Sequence, residues 1–282
     1  MIRIDKAIEQ ACEALSGLPD IRSKFEAESL LAHLLGESRT WVLTWNDKKL
    51  SSEQFQLFQD LIQRRIGGEP FAYLVGYKEF WSLDLQVTPD TLIPRPETEL
   101  LVELALKQIP KSQHFRIADL GTGTGAIALA IAAERSQATV FAVDFSEKAL
   151  QVALTNRVRH QLTNVQLVHN SWLDNWPYGN LDLIVSNPPY VEAGDPHLTD
   201  LSFEPYQALV AADSGLADIK TICQQARRYL KPQGYLMFEH GFEQGEQVRA
   251  IMAQHGFSQL VTYQDLSGND RVTAGWLQPS QN

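Results

Sequence analysis

A chain of 282 residues with 44% hydrophobic and 21% charged residues has globular proportions, which excludes disordered, collagen-like and coiled-coil architectures and leaves room for one large domain or a medium one with a smaller companion. Lys and Arg number 24 against 34 Asp and Glu, and the resulting net charge of −10 argues against tight, non-specific binding to DNA or RNA through phosphates. Two distant cysteines, Cys12 and Cys223, exclude a disulfide framework or cysteine-type zinc site, and the seven histidines show no HExxH spacing, so no metal is expected.

The N-terminus, MIRIDKAIEQ, has no apolar signal-peptide core, and no run of 18 apolar residues occurs, so a soluble cytoplasmic protein is expected. Ile4, Ala7, Ile8, Ala11, Cys12 and Leu15 recur at helical spacing until Ser16-Gly17-Leu18-Pro19 stops the pattern. Phe25, Ala27, Leu30, Leu31, Leu34 and Leu35 form a second stripe ending at Gly36. Ser51 and Gln54 read as a capping box opening a third, through Phe55, Phe58, Leu61, Ile62 and Ile66, closed by Gly67-Gly68. Residues 1–75 are therefore expected to form a small helical bundle. Residues 76–96 change period and carry turn signals, as expected of a hairpin-like linker.

From residue 97 to 282, strand and helix patterns alternate. Strands are expected at 115–120, 139–144, 165–170, 181–187 and 234–240, with FSQLVTYQD and 271–277 closing the chain and helices at 125–134 and 146–160. Such alternation implies a mostly parallel sheet covered by helices. Ligands bind such sheets beyond the carboxyl ends of the strands. That rule directs attention to Gly121, Asp144, Asn170, Asn187 and Glu239.

Two motifs lie there. Asp119-Leu-Gly-Thr-Gly-Thr-Gly125 joins an expected strand to a helix, where glycines allow close backbone approach. Asp144 ends the next strand, where a carboxylate can accept hydrogen bonds from both hydroxyls of a ribose. The loop also satisfies GxGxxG/A loosely, so a nicotinamide cofactor remains open on this motif alone. The second motif is Ser186-Asn187-Pro188-Pro189-Tyr190. Its two prolines remove two N–H donors and leave the Asn187 and Pro188 carbonyls without local competitors. Two acceptors can take both hydrogens of a planar –NH2 group, and Tyr190 can stack on its plane.

DLGTGTG, Asp144 and NPPY together resemble S-adenosylmethionine-dependent methyltransferases acting on planar nitrogens, a class that includes nucleic-acid base amino-methylases and protein-glutamine methyltransferases. Ile93-Pro-Arg-Pro-Glu-Thr-Glu99, Phe203-Glu-Pro205, AADSGL at 211–216, Glu239-His-Gly241 and Asn269-Asp-Arg-Val272 narrow the likeness. With them the chain resembles, over nearly its whole length, the HemK-type N5-glutamine methyltransferases of peptide-chain release factors. The resemblance implies a Rossmann-like class I methyltransferase fold with a seven-stranded, mostly parallel sheet, behind a helical domain that recognises substrate. It implies S-adenosylmethionine as cofactor and S-adenosylhomocysteine as product. Gly121, Thr122, Gly123, Thr124 and Gly125 would hold the methionine part, Asp144 the ribose, and Trp172 would lie against the adenine. Asn187, Pro188, Pro189 and Tyr190 would hold the substrate glutamine, with Asn187, Pro188 and Tyr190 as the catalytic group and Asn187 also against the cofactor. Arg95, Glu97, Glu204 and Glu239 receive no firm role.

The implied substrate is the glutamine of the GGQ loop of class I release factors. The implied enzyme is a monomer with no membrane attachment and no stable nucleic-acid binding. Two alternatives stay open on NPPY: a flipped nucleic-acid base, which would need a basic approach surface, and a ribosomal-protein glutamine. The acidic net charge and PRPETE count against the base.

Overall fold

A computed structural model describes residues 1–18 and 22–278, and the chain divides into two compact units, Met1–Tyr77 and Lys78–Asn282. The first unit is helical: α1 (Ile4–Leu15), α2 (Ser23–Leu35), α3 (Arg39–Thr44), α4 (Ser52–Ile66) and α5 (Phe71–Val75). Helix α1 buries Ile4, Ala7, Ile8, Ala11 and Leu15, the face its spacing marks out. Helix α2 ends on Gly36 in the left-handed conformation, and the Ser51–Gln54 capping box opens α4. Pro19, part of the stop signal after α1, lies outside the described residues. Helices α3 and α5 span only six and five residues, too short to show a period in sequence. Their Val42, Leu74 and Val75 complete the core of this unit, beside Leu30, Leu31 and Phe58.

Next come β1 (Tyr77–Phe80) and β2 (Leu83–Gln86), paired as a two-stranded sheet. Their two-residue loop, Trp81-Ser82, has both φ angles positive, at 50° and 60°. Such a turn normally selects Asn-Gly. Here Trp81 is held from outside: its backbone N–H donates to Glu99 Oε1 and its indole to Glu134 Oε1.

A 3-10 turn at Pro96–Thr98 then leads into α6 (Glu99–Gln108). The order continues as β3 (Arg116–Leu120), α7 (Ala126–Glu134), β4 (Thr139–Asp144), α8 (Glu147–Arg159), β5 (Val165–His169), β6 (Leu181–Ser186) and the short β7 (Val191–Glu192). One-turn helices α9 (Tyr206–Leu209) and α10 (Ala212–Gly215) flank β8 (Val210–Ala211), which pairs with β7. Helix α11 (Ala217–Tyr229), β9 (Leu230–Glu239), α12 (Gly245–Gln254), β10 (Phe257–Gln264) and β11 (Asp270–Leu277) follow.

Seven strands form one sheet in the order β10-β11-β9-β6-β3-β4-β5, and β11 alone runs antiparallel. Its pleat feeds two cores. Ile117 of β3 packs with α6 and α7 on one face, whereas Ala118 and Leu120 pack with α11 and α12 on the other. Strands β3, β4 and β5 progress toward one edge, and the chain then crosses to lay β6 on the other side of β3. The crevice beyond β3 and β6 is therefore the switch point, where this architecture takes its ligands. Among the described residues no helix is long and apolar enough to cross a membrane, and no cluster of His, Cys, Asp and Glu could hold a metal ion.

Candidate active site

The register brings the two motifs together. Leu120 of β3 pairs with Ser186 of β6 and with Val143 of β4, so Gly121, Asn187 and Asp144 emerge side by side at the strand ends. Ser186 Oγ donates to the Leu120 carbonyl at 2.7 Å, and the Gly121 and Thr122 N–H groups both donate to the Val143 carbonyl at 2.9 Å.

A cavity of about 230 Å³ opens over this edge. Gly121, Gly123, Asp144, Trp172, Asn187 and Pro189, all marked out by sequence, line it. So do Asp90, Thr91 and Leu92 from the segment after β2, Pro205, Gln207 and Ala208 near α9, and Asp218 at the start of α11. Thr122, Thr124, Gly125, Pro188 and Tyr190 do not line it. Thr122 is buried and turns its hydroxyl to Asp119 Oδ2 at 2.6 Å. Thr124 is buried, and its carbonyl accepts from Asn156 Nδ2 at 2.9 Å. Gly125 caps α7 in the left-handed conformation. Tyr190 is half-buried, and loss of solvent pushes its phenol up to about 12, with the neighbouring Glu239 charge adding to the effect.

The loop after β3 is fixed from below and from the side. Asp119 is fully buried, and its Oδ2 also accepts from the Ala128 N–H at 3.1 Å. Its Oδ1 has no partner among the described residues, and burial pushes the carboxyl up to about 7. Asn156, also fully buried, pairs in both directions with the Gln86 backbone while donating to Thr124. One side chain of α8 thus ties the glycine-rich loop to the β1–β2 hairpin.

Asp144 accepts from the Gly123 N–H through Oδ2 and the Ser146 N–H through Oδ1, each at 2.9 Å. Burial raises its pKa against those bonds. Trp172 has a left-handed backbone, φ 50°, and its indole hydrogen-bonds the Asp218 carboxylate. The ring lies close over Gly121, where a Cβ would stand 3.3 Å from Trp172 Cζ3. Glycine is needed there for the positive φ of 74° and for this approach.

Arg95 forms a 2.5 Å ion pair with the buried Glu204, whose other oxygen accepts from the Ile93 N–H at 2.9 Å. PRPETE and FEP are thereby one structural unit beside the cavity. Glu97 is exposed. Glu239 is buried at the end of β9, and neighbouring His240 is locked between Thr273 and the Gly241 carbonyl. Asn156 and Asp218 support or line the site without any sequence signal, and Thr98 falls within the flagged 93–99 segment without being singled out there. A single Asn, Thr or Asp gains meaning only from what the fold puts opposite it.

Three carboxylates, Asp90, Asp144 and Asp218, line the cavity, and no Lys or Arg among the described residues does. That set of acceptors suits a ligand carrying positive charge and a diol, and suits a diphosphate poorly.

Residues 6–76 match the family model described as PrmC N-terminal domain, and residues 97–202 the one described as Methyltransferase small domain. The chain is 46% identical to the release factor glutamine methyltransferase of Aliivibrio fischeri, over 98% of each chain. It is 46% identical to that of Escherichia coli K12, over 93% of this chain and 96% of the other. Among solved structures, a methyltransferase from Pyrococcus furiosus aligns with a TM-score of 0.54 at 17% identity, over 78% of this chain and all of the other. The ribosomal protein L11 methylase of Lactobacillus delbrueckii subsp. bulgaricus aligns with 0.52 at 19% identity, over 69% and 86%. At those identities the structures speak for the fold alone.

Proposed function

The chain belongs to the release factor glutamine methyltransferase family, and from that premise we propose that it moves a methyl group from S-adenosylmethionine to the side-chain amide nitrogen of the glutamine in the GGQ loop of class I release factors. The observation that carries the reading is the convergence of Asp144, Gly121 and Asn187 on one acidic cavity at the switch point. A sulfonium nucleoside bearing an ammonium group matches three lining carboxylates, and it has no phosphate to repel. The bound cofactor supplies an electrophilic methyl group.

The residues of the chain do the rest. In this reading Asp144 takes the ribose hydroxyls, and two backbone N–H groups fix its rotamer. Gly121 and Gly123 give the backbone approach for the methionine part, while Thr122, Thr124 and Gly125 hold that loop in shape from behind. Trp172 forms the adenine wall. An amide nitrogen is a poor nucleophile because its lone pair is delocalised into the carbonyl. The side-chain carbonyl of Asn187 and the backbone carbonyl of Pro188 accept its two hydrogens and set partial negative charge where positive charge develops in the transition state. Pro189 and Tyr190 stiffen this grip, which aligns nitrogen and methyl for in-line transfer. Transfer leaves the thioether product and an N-protonated methylamide cation, which is strongly acidic and gives its proton to water, so no dedicated base is required.

The helical unit, residues 1–75 in outline, is proposed to hold the release factor at a second point and so raise the effective concentration of the GGQ loop. The enzyme is proposed to act as a cytoplasmic monomer.

The test is transfer of labelled methyl from S-adenosylmethionine, run in parallel on release factor, release factor with the GGQ glutamine changed to alanine, ribosomal protein, DNA and RNA. Label confined to the intact release factor is expected. Label only in nucleic acid or ribosomal protein overturns the reading.

Asp218 gives a separate prediction. Asp218→Ala leaves the Trp172 indole without its acceptor, on a backbone that already carries a strained φ. Cofactor affinity should weaken about 3- to 10-fold, the worth of one hydrogen bond, with kcat at saturating cofactor nearly unchanged. Calorimetric titration against kcat measures the split, and a loss confined to kcat would remove Trp172 from the cofactor wall.

A further inference from the structure

Only two fully enclosed side-chain oxygens among the described residues lack a hydrogen-bond partner: Asp119 Oδ1 and Glu239 Oε2. The first lies at the root of the glycine-rich loop. The second lies one strand over from Asn187. Ser186 of β6 pairs with Phe238 of β9, so Asn187 and Glu239 leave their strands as neighbours. Between them stands Thr98, only 4% exposed, from the turn that ends PRPET. Its hydroxyl hydrogen-bonds the Glu239 carboxylate and also accepts from Asn187 Nδ2 at 3.4 Å.

With Glu239 ionised, these groups have fixed polarities. A carboxylate only accepts, a hydroxyl carries one proton, and a side-chain amide has one accepting and one donating end. Once Glu239 takes the Thr98 proton, Thr98 has only lone pairs left for Asn187. The amide must then turn its NH2 end to Thr98 and its carbonyl oxygen away. The opposite flip would present a donor to the substrate amide, which also donates, and binding would fail. The Asn187–Thr98 contact is long, so its contribution lies in direction more than strength.

We propose that Thr98 and Glu239 are positioning residues that fix the flip of the Asn187 side-chain amide, so that its oxygen faces the –NH2 group to be methylated. The inference rests on Asn187 acting as an acceptor for the substrate amide, as argued above. Neither Thr98 nor Glu239 lines the cavity, so they act through Asn187 and do not touch the ligands. The buried, half-satisfied carboxylate has a use here. An isolated buried acid is costly to ionise, and burial does push the Glu239 carboxyl up to about 7. That value is what remains after the Thr98 bond and the positive charge of nearby Arg271 and Arg95 have opposed burial, so the carboxylate acts as a pure acceptor above about pH 7.

The experiment compares Thr98→Val, Thr98→Ser, Glu239→Met and the Val–Met double variant with the native enzyme, on intact release factor. Valine keeps the shape of threonine and removes the hydroxyl. We expect Thr98→Val to lower kcat about 10-fold while the S-adenosylmethionine dissociation constant stays within about 2-fold. Thr98→Ser should restore most of kcat. Glu239→Met should fall to a similar degree, and the double variant should fall no further, because both changes break the same chain. A native kcat in Thr98→Val, no rescue by serine, or losses that multiply in the double variant would overturn the proposal. Should Asn187→Ala itself turn over normally, the acceptor role of Asn187 fails. A dead Asn187→Ala beside a native Thr98→Val removes only the positioning chain.

Discussion

Asn187→Ala should lower kcat by about 10²–10³ while leaving the S-adenosylmethionine dissociation constant within about threefold. The size follows from what the residue is asked to do. Removing one pre-organised group that faces developing charge costs that much in comparable sites. Here the loss falls on the transition state because partial positive charge on the nitrogen grows only as the methyl arrives. In the ground state the amide –NH2 is nearly neutral, so KM for the release factor should rise far less than kcat falls. The cofactor should be little affected, since Asp144, Gly121, Gly123 and Trp172 still line the part of the cavity proposed to take it. Folding should survive as well. Asn187 is half-buried, and its one side-chain bond among the described residues is the long contact to Thr98. Single-turnover kinetics with labelled cofactor, beside an equilibrium titration, separates the two quantities. Turnover within threefold of native would mean that the Pro188 carbonyl and positioning suffice, and that Asn187 is a spacer.

The parts of this site that sequence exposed share one property: each lies in a local pattern whose physics is complete within a few residues. Asp119 to Gly125 must turn tightly from strand to helix, and Asn187 to Tyr190 cannot hydrogen-bond as a strand. Asp144 stands at the end of a continuous apolar strand. The sheet was legible for the same reason, since the parallel strands at 116–120, 139–144 and 181–186 read as predominantly apolar runs, interrupted inside only by Asp119 and Asp182. The supports were hidden because their partners are remote in sequence. Asn156 meets Gln86 across 70 positions, Asn187 meets Thr98 across 89, and Arg95 meets Glu204 across 109. Resemblance flagged PRPETE and FEP as segments, yet only the folded chain shows that Arg95 and Glu204 join them. The hairpin turn was obscured differently: Trp81-Ser82 has none of the residues that favour two positive φ angles, and contacts from Glu99 and Glu134 impose the conformation.

AADSGL shows how far such support reaches, and Gly215→Ala is its sharpest test. Asp213, Ser214 and Gly215 run consecutively through the left-handed region, with φ of 58°, 52° and 79°. Two of those residues are not glycine, and backbone strain of this kind persists only where surroundings hold it. The holder is Gln244, whose Nε2 donates to the carbonyls of Ser214 and Tyr190, each at 3.1 Å, while its Oε1 accepts from the Gly241 N–H. One side chain therefore clamps the strained turn against the last residue of NPPY. A Cβ on Gly215 would overlap the Tyr190 carbonyl oxygen, and it would stand 2.7 Å from the carbonyl carbon and 2.8 Å from Gln244 Nε2. Neither the backbone nor the clamp can yield without moving NPPY. The substitution should cost about 2–3 kcal/mol of stability and, by displacing the substrate grip by a fraction of an ångström to an ångström, up to about 10² in kcat. Gly268→Ala is the control: φ there is also positive, 83°, but a Cβ meets nothing within 4 Å. It should cost about 1 kcal/mol with kcat unchanged. Chemical denaturation and kcat of the two variants, measured side by side, decide the matter. If Gly215→Ala loses stability yet keeps native kcat, the turn braces the fold alone and NPPY holds its geometry without it.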